Sequence, residues 1–497
     1  SDSEKKMSAC ADQNHAPSLT CVRLEYGQNR SIKGVHKLMG QKTKESFFTK
    51  DKTFYRTLFP LLITVALQNI VAYSVNMADN IMLGSYSQNA LSGAATVNQI
   101  FFMVQQITLG IGEGFVVLGA QYWGQQRMQP IRKLTGIALK LGLICGIITI
   151  LICTFLSHQV VSIFTNDPEI IAEGVSYLGI IKYTFLLFII TNVLMAALRC
   201  VETVKISFYI SIVSLIVNVG INYVLIFGRF GAPELGIRGA AIGTLIARIV
   251  ELAIVVIYML KVDKKLKLFS ENFMKFDAAL RQDYTKVEIP VMLSQVLWAI
   301  SVPFQTAILG HLSSDAIAAN SVATTFYQYL KVIVVAMSSS SAVMIGSAVG
   351  RGDMKRIKSD ARTLAVIDVL IGAALGLALF LLRKPLLTLY NLNDSALVMA
   401  DQLIIVMSFI MVGMSYQMPV SMGIIRGGGD TKFTMMMNMI STWAIVIPLS
   451  FMSAFWWHWS VVGVVIMIQS DQVFKGLPTF LHFRSYKWVK KLTREDA

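Results

Sequence analysis

The stretch FYRTLFPLLITVALQNIVAYSVNMADNIMLG, residues 54–84, holds only two charges, Arg56 at its start and Asp79 near its end. About 20 apolar residues cross a bilayer as an α-helix, so the stretch reads as a membrane span that ends at Gly84 with an acid inside it. Working outward, eleven more runs of this kind follow, at 91–120, 135–160, 172–198, 206–228, 239–260, 287–310, 317–346, 361–382, 396–425, 433–456 and 460–482. The fold class is all-α and integral to the membrane, with twelve transmembrane helices. Composition agrees. Of 497 residues 55% are apolar and 15% charged, and mean hydropathy is +0.60; a soluble domain has about 45–50% and about 25%.

The net charge of +15 raises the question of nucleic acid. Lys and Arg are confined to short connections between apolar runs, the pattern of topology signals and anionic-lipid contact, and no nucleic-acid motif occurs. Connections on the N-terminal side carry Arg127, Arg132, Lys133, Arg199, Lys205, Lys261, Lys264, Lys265, Lys267, Arg351, Lys355, Arg356, Lys358, Arg426 and Lys432. The opposite side has only Arg229, Arg238, Arg383 and Lys384. This bias predicts a multi-pass protein of the inner (plasma) membrane with both termini in the cytosol. The organisation read from it is a polar tail at 1–50, without fixed structure, then six helices at 51–260. A loop at 261–286 leads to six more helices at 287–484 and a basic tail at 485–497. The loop KVDKKLKLFSENFMKFDAALRQDYTK is either an amphipathic segment on the membrane surface or a solvated linker. Five cysteines, Cys10, Cys21, Cys145, Cys153 and Cys200, have no metal-ligand spacing and read as free thiols.

The halves repeat one another at a nearly fixed offset. GAQYWG (119–124) aligns with IGSAVG (345–350), and IMLGSYSQNALSG (81–93) with AILGHLSSDAIAA (307–319), both at 226 residues; RCVETVK aligns with RGGGDTK, pairing Arg199 with Arg426 at 227. Six helices return the chain to its starting side, so the repeats are parallel, related by an axis along the membrane normal. Transporters built this way bind at the repeat interface and rock one half against the other.

Topology places three polar positions at similar depth. Asp79 lies near the outer end of the first span. Asn218 and Asn222, four residues apart, share a face of the fifth, and Ala240 and Thr244 share a face of the sixth. A carboxylate, two amides, a hydroxyl and a small residue that lets backbone approach make an oxygen-rich pocket for a proton or a dehydrated monovalent cation. The alternative is that Asp79 snorkels to water and the amides act as interhelical glue. The second half has Gln305 where the first has Asp79, and Ala444 and Pro448 where it has the two asparagines. Other acids in or near spans, Glu113, Glu251, Asp368, Asp401 and Asp471, read as locally paired; Glu251 lies three residues from Arg248 and Asp471 four from Lys475.

QNIVAYSVNMADNIMLG (68–84), LGIRGAAIGTLIAR (235–248), IPVMLSQVLW (289–298) and GIIRGGGDTKF (423–433) together resemble the bacterial branch of the multidrug and toxic compound extrusion transporters. The resemblance implies a V of two six-helix lobes and antiport of small organic, mostly cationic, molecules against H+ or Na+. It implies no cofactor and no metal beyond that Na+. The cation-binding acid on the first helix corresponds to Asp79, with Asn218, Ala240 and Thr244 as its neighbours. Asn222 stands where the family often has a second Asp, and 291–309 on the seventh helix has no acid. Substrate-cavity candidates are Gln68, Asn69, Tyr73, Gln295, Trp298, Tyr416 and Gln417, whose aromatic members suit organic cations. The Met-rich TMMMNM (434–439) suits varied ligands. Pro60, Pro290, Pro419 and Pro448 mark kinks. The expected partners are the small-molecule substrate and membrane lipids, with the protein a monomer. Flipping of lipid or polysaccharide precursors is the rival within the superfamily. No nucleophile motif or metal cluster supports an enzyme, and no filter-like loop supports a channel.

Overall fold

The computed structural model describes residues 48–494 apart from 270–272, 274, 276, 313 and 389–392. The tail 1–47, with Cys10 and Cys21, lies outside the described residues; Cys145, Cys153 and Cys200 are free thiols. The helices of the first half are α1 (Lys52–Tyr86), α2 (Gln88–Gly124), α3 (Met128–Phe155), α4 (Pro168–Cys200), α5 (Lys205–Ile226) and α6 (Ile237–Lys261). Those of the second are α7 (Ala278–Gly310), α8 (Ser314–Arg351), α9 (Met354–Leu387), α10 (Asp394–Met418) and α11 (Thr431–Met439, resumed at Ile447–Phe455). Eleven helices among the described residues are long and apolar enough to cross a membrane. Their starts are encoded locally: Asp51, Asp277 and Asp353 each accept a hydrogen bond from a first-turn backbone N–H of α1, α7 or α9.

The twelfth run departs from expectation. It divides into Val461–Gln469, Asp471–Phe474 and Gly476–Ser485, here α12. Ser470 and Lys475 at the breaks keep helical torsions, so the path continues while the bonding lapses. Pro478 explains the second break, because it has no N–H for the Phe474 carbonyl. Pro419 and Pro448 act likewise. A π-helical segment starts at Pro419 (Pro419–Ile425) and another ends just before Pro448 (Ile440–Val446), as expected where a helix loses a donor.

The duplication is visible as paired contacts between the lobes. A Cβ on Gly124 would lie 2.0 Å from the Ser347 carbonyl oxygen, and one on Gly350 would lie 2.0 Å from that of Gln121. Gly124 and Gly350, like Gln121 and Ser347, are 226 residues apart, so α2 and α8 cross at a pseudo-two-fold axis. Two further contacts obey the same relation. Gly110 and Gly114 of α2 seat Met292 and Glu288 of α7. On α8 the equivalent of Gly110, Ala336, shares one apolar cluster with Leu62 and Ala66 of α1, the equivalents of Glu288 and Met292. Glycine is required at the crossing because backbone meets backbone there.

The apolar clusters show where the lobes join. One cluster takes residues from both lobes at the end bearing the basic connections, including Phe115, Tyr122, Leu134, Leu198, Tyr284, Ile345 and Ile424. At the other end each lobe keeps its own: Leu83, Val97, Tyr177, Phe185 and Ala240 in the first, Leu309, Val322, Leu403, Met407 and Val464 in the second. The lobes are thus joined at the basic end, and each is independently cored at the other.

The 261–286 loop, read as surface-lying or solvated, and the C-terminal tail are both packed into the joint. Leu266 and Leu268 of the 261–286 loop are fully buried in the shared cluster, while Arg132 and Lys265 bond to the carbonyls of Leu266 and Val201. No helix forms at 263–269, so its leucines cover protein core and not lipid. The C-terminal segment is a strap. Trp488 is fully buried. Gln121 of α2 donates to the Lys490 carbonyl at 3.0 Å and accepts from the Leu492 N–H at 2.8 Å. Lys490 N–H bonds to the Gly428 carbonyl, Lys490 Nζ pairs with Asp430, and Arg494 pairs with Asp283. The strap therefore touches both lobes.

Candidate functional site

Asp79 does not snorkel away from its lobe. Asn222 Nδ2 donates to Asp79 Oδ1 at 2.6 Å and to Asn218 Oδ1 at 3.3 Å, and Asn218 Nδ2 donates to Thr244 Oγ1 at 3.2 Å. The i,i+4 spacing on α5 puts both amides on the face toward α1 and α6. Both asparagines are buried, whereas Asp79 keeps partial exposure. Asn222 Oδ1 is buried with no hydrogen-bond partner among the described residues. Asp79, Asn222, Asn218 and Thr244 thus form one hydrogen-bonded chain across α1, α5 and α6, with Asn222 Oδ1 turned toward Gly243 of α6.

Ala240 lies on α6 between two glycines. It is buried in the lobe's own cluster, and α5 and α6 meet at Gly239 and Gly243. A Cβ on Gly243 would fall 1.9 Å from Asn222 Oδ1, and one on Gly239 would strike the Leu225 backbone. Sequence reading missed Gly243, though the GAAIG spacing puts two glycines on one face. It also missed Tyr177, whose hydroxyl approaches Thr244, and Arg248, which lies within electrostatic reach of Asp79. Arg248 pairs with Glu251 at 2.6 Å, as expected from the spacing, and stacks over Phe188 at 5.0 Å.

The other acids divide. Asp401 pairs with Arg383 at 3.1 Å and Asp471 with Lys475 at 2.7 Å. Asp368 is buried with Oδ2 unpartnered, and no ion pair forms there among the described residues. Glu113 is not locally paired. Arg426 of the second lobe reaches it at 2.9 Å and Arg199 of the first at 3.0 Å, while Arg199 also donates to Ser339 at 2.8 Å. Glu113 and Ser339 are equivalent in the repeat, as are the two arginines, so each arginine crosses to the other lobe. Glu288, buried on α7 against Gly114, is a further acid that the sequence reading passed over.

The cavity candidates separate as well. Tyr73 of α1 and Tyr329 of α8 lie ring to ring at 6.3 Å, and Trp298 of α7 faces Phe102 of α2 at 6.0 Å, so both stand where lobe meets lobe. Asn69 and Gln295 are half-buried. Gln68 turns toward Met195 of its own lobe at 3.9 Å. Tyr416 packs on the shared cluster with its hydroxyl buried and unpartnered, and Gln417 is 2% exposed. The structure removes Gln417 from the set that can line an open cleft, because its helix face turns inward.

A family model described as MatE matches this chain twice, over residues 64–224 and 290–452. The chain belongs to that family, the multidrug and toxic compound extrusion (MATE) transporters. The two matched segments are the two repeats. Among curated relatives, the probable multidrug resistance protein NorM of Thermotoga maritima is 24% identical over 443 residues, covering 88% of this chain and 95% of that protein. The NorM counterpart of Streptococcus pneumoniae is 26% identical, covering 80% and 86%. In fold, a mutant of the Vibrio cholerae MATE transporter VcmN superposes with a TM-score of 0.80 at 17% identity, covering 88% of this chain and 98% of that one. A MOP-superfamily transporter from Pyrococcus furiosus gives 0.78 at 18%. The MATE architecture of two helical lobes is therefore this chain's architecture.

Proposed function

We propose that this MATE protein is a multidrug exporter, an antiporter that moves small organic molecules out as H+ or Na+ enters through Asp79. One observation carries the reading: an intramembrane carboxylate bound at 2.6 Å by an amide whose own carbonyl oxygen is buried and unpartnered. Such acids cost about 2.5–3.5 kcal/mol at a helix centre, and function is their ordinary explanation. A proton on Asp79, or a Na+ shared among Asp79, Asn218, Asn222 and Thr244, removes the charge. The α1–α5 contact then repacks, and α1 carries the change to α8 of the other lobe. The reading also takes the basic ends as cytosolic and the substrate cleft as lying between the lobes beside Tyr73 and Trp298. Asp79→Asn should abolish ethidium efflux from proteoliposomes under imposed proton or sodium gradients while insertion is normal. Efflux at the parent rate removes Asp79 from the mechanism.

A further inference from the structure

Lys331 lies in α8, and its ammonium sits 5.2 Å from the centroid of the Trp298 ring, which faces Phe102 of the other lobe at 6.0 Å. The charges acting on it are Asp471 and Lys475. Asp471 is already committed. Its Oδ2 pairs with Lys475 at 2.7 Å and its Oδ1 accepts from Gln472 at 2.8 Å. Lys475 in turn donates to Asn438 Oδ1 at 3.2 Å, and Asn438 donates to Ser294 Oγ at 2.9 Å. One carboxylate thus serves two ammonium groups, and the lysine left over is the one at the lobe junction. An adjoining crevice is lined by Ser294, Trp298, Asn438 and Trp443. Trp443 Nε1 is a buried donor with no partner among the described residues. A lysine that shares its carboxylate with a second ammonium, an idle N–H and two aromatic faces suit a ligand with an acidic group on a ring.

We propose that the second lobe binds an aromatic carboxylate, with Lys331 as its counter-ion and Trp298 as its stacking face. This rests on the reading of the cleft as the substrate path and widens its substrate class to molecules with an anionic group, zwitterions included, alongside organic cations. Charge-assisted hydrogen bonds in such surroundings are worth about tenfold or more in affinity.

Equilibrium dialysis of the purified full-length protein against 2-naphthoate and its neutral isostere 2-naphthamide tests the proposal. The expected result is that the parent favours the naphthoate by about tenfold, that Lys331→Gln levels the two, and that Lys331→Arg restores the preference. Equal binding by the parent, or a preference that survives Lys331→Gln, overturns it. So does loss of naphthoate binding when phosphatidylglycerol is added, which would assign Lys331 to a lipid headgroup. Ethidium efflux by the parent is measured separately. Its absence refutes the exporter reading, whereas the dialysis result speaks to the anion site alone.

Discussion

Replacing Glu113 by Gln should tilt the protein toward the state whose basic ends are apart. Glu113 holds Arg426 at 2.9 Å and Arg199 at 3.0 Å, and the Arg426 side chain is 7% exposed. Removing one partner of a buried ion pair costs about 3–5 kcal/mol because the other charge is left unpaired and dry. Arg199 is less buried and retains Ser339, so the lower figure applies. The cost falls on the state described, since Arg426 regains water once the lobes separate there. About 3 kcal/mol shifts a two-state equilibrium by roughly 100-fold. Spin labels at the exposed positions Gln129 and Lys355, one in each lobe at the basic end, would report it by pulsed electron–electron distance measurement in a cysteine-free background. The parent should show a short distance and Glu113→Gln a second, longer population. An unchanged distribution in a variant that inserts and purifies like the parent refutes the reasoning.

Gly243→Ala should drive the Asn222 amide off Asp79 and lower ethidium efflux at least as far as Asn222→Ala does, since the new methyl would stand 1.9 Å from Asn222 Oδ1; efflux at the parent level would show that this hydrogen bond is dispensable. Trp488→Ala should free the C-terminal strap at a cost of about 3–5 kcal/mol, seen as faster proteolysis within 486–494 and a lower melting temperature. Resistance like the parent's would mean that the polar contacts of Gln121 and Arg494 suffice without the indole.

The spans and the repeat were legible because they rest on local facts: run length, loop charge and a constant offset. Asp79, Asn222 and Thr244 were brought together by topology alone, since helices that begin on known sides put residues at known depths. The partners of Glu113 were not legible. They come from 86 and 313 residues away, and no periodicity within α2 says which arginine will face it. Leu266 and Leu268 misled for a related reason. Short apolar positions in a charged segment look the same whether they meet lipid or the joint core of two lobes. Gly243 went unseen because a glycine's importance lies in what fills the space it leaves, and that is a neighbour's side chain. The break in α12 was in plain view as Asp471, Lys475, Gly476 and Pro478, but mean hydropathy averages such residues away.

The crossing of α2 and α8 has a consequence for how sequence change is tolerated. A contact that uses the same two positions twice is isologous, as in a two-fold dimer. In a dimer of identical chains every substitution would strike both sides of that contact together. Joined in a single polypeptide, the halves are released from that constraint. One may carry Glu113 where the other carries Ser339, or Asp79 where the other carries Gln305, so the two lobes can take on different chemistry with the backbone crossing between them unchanged.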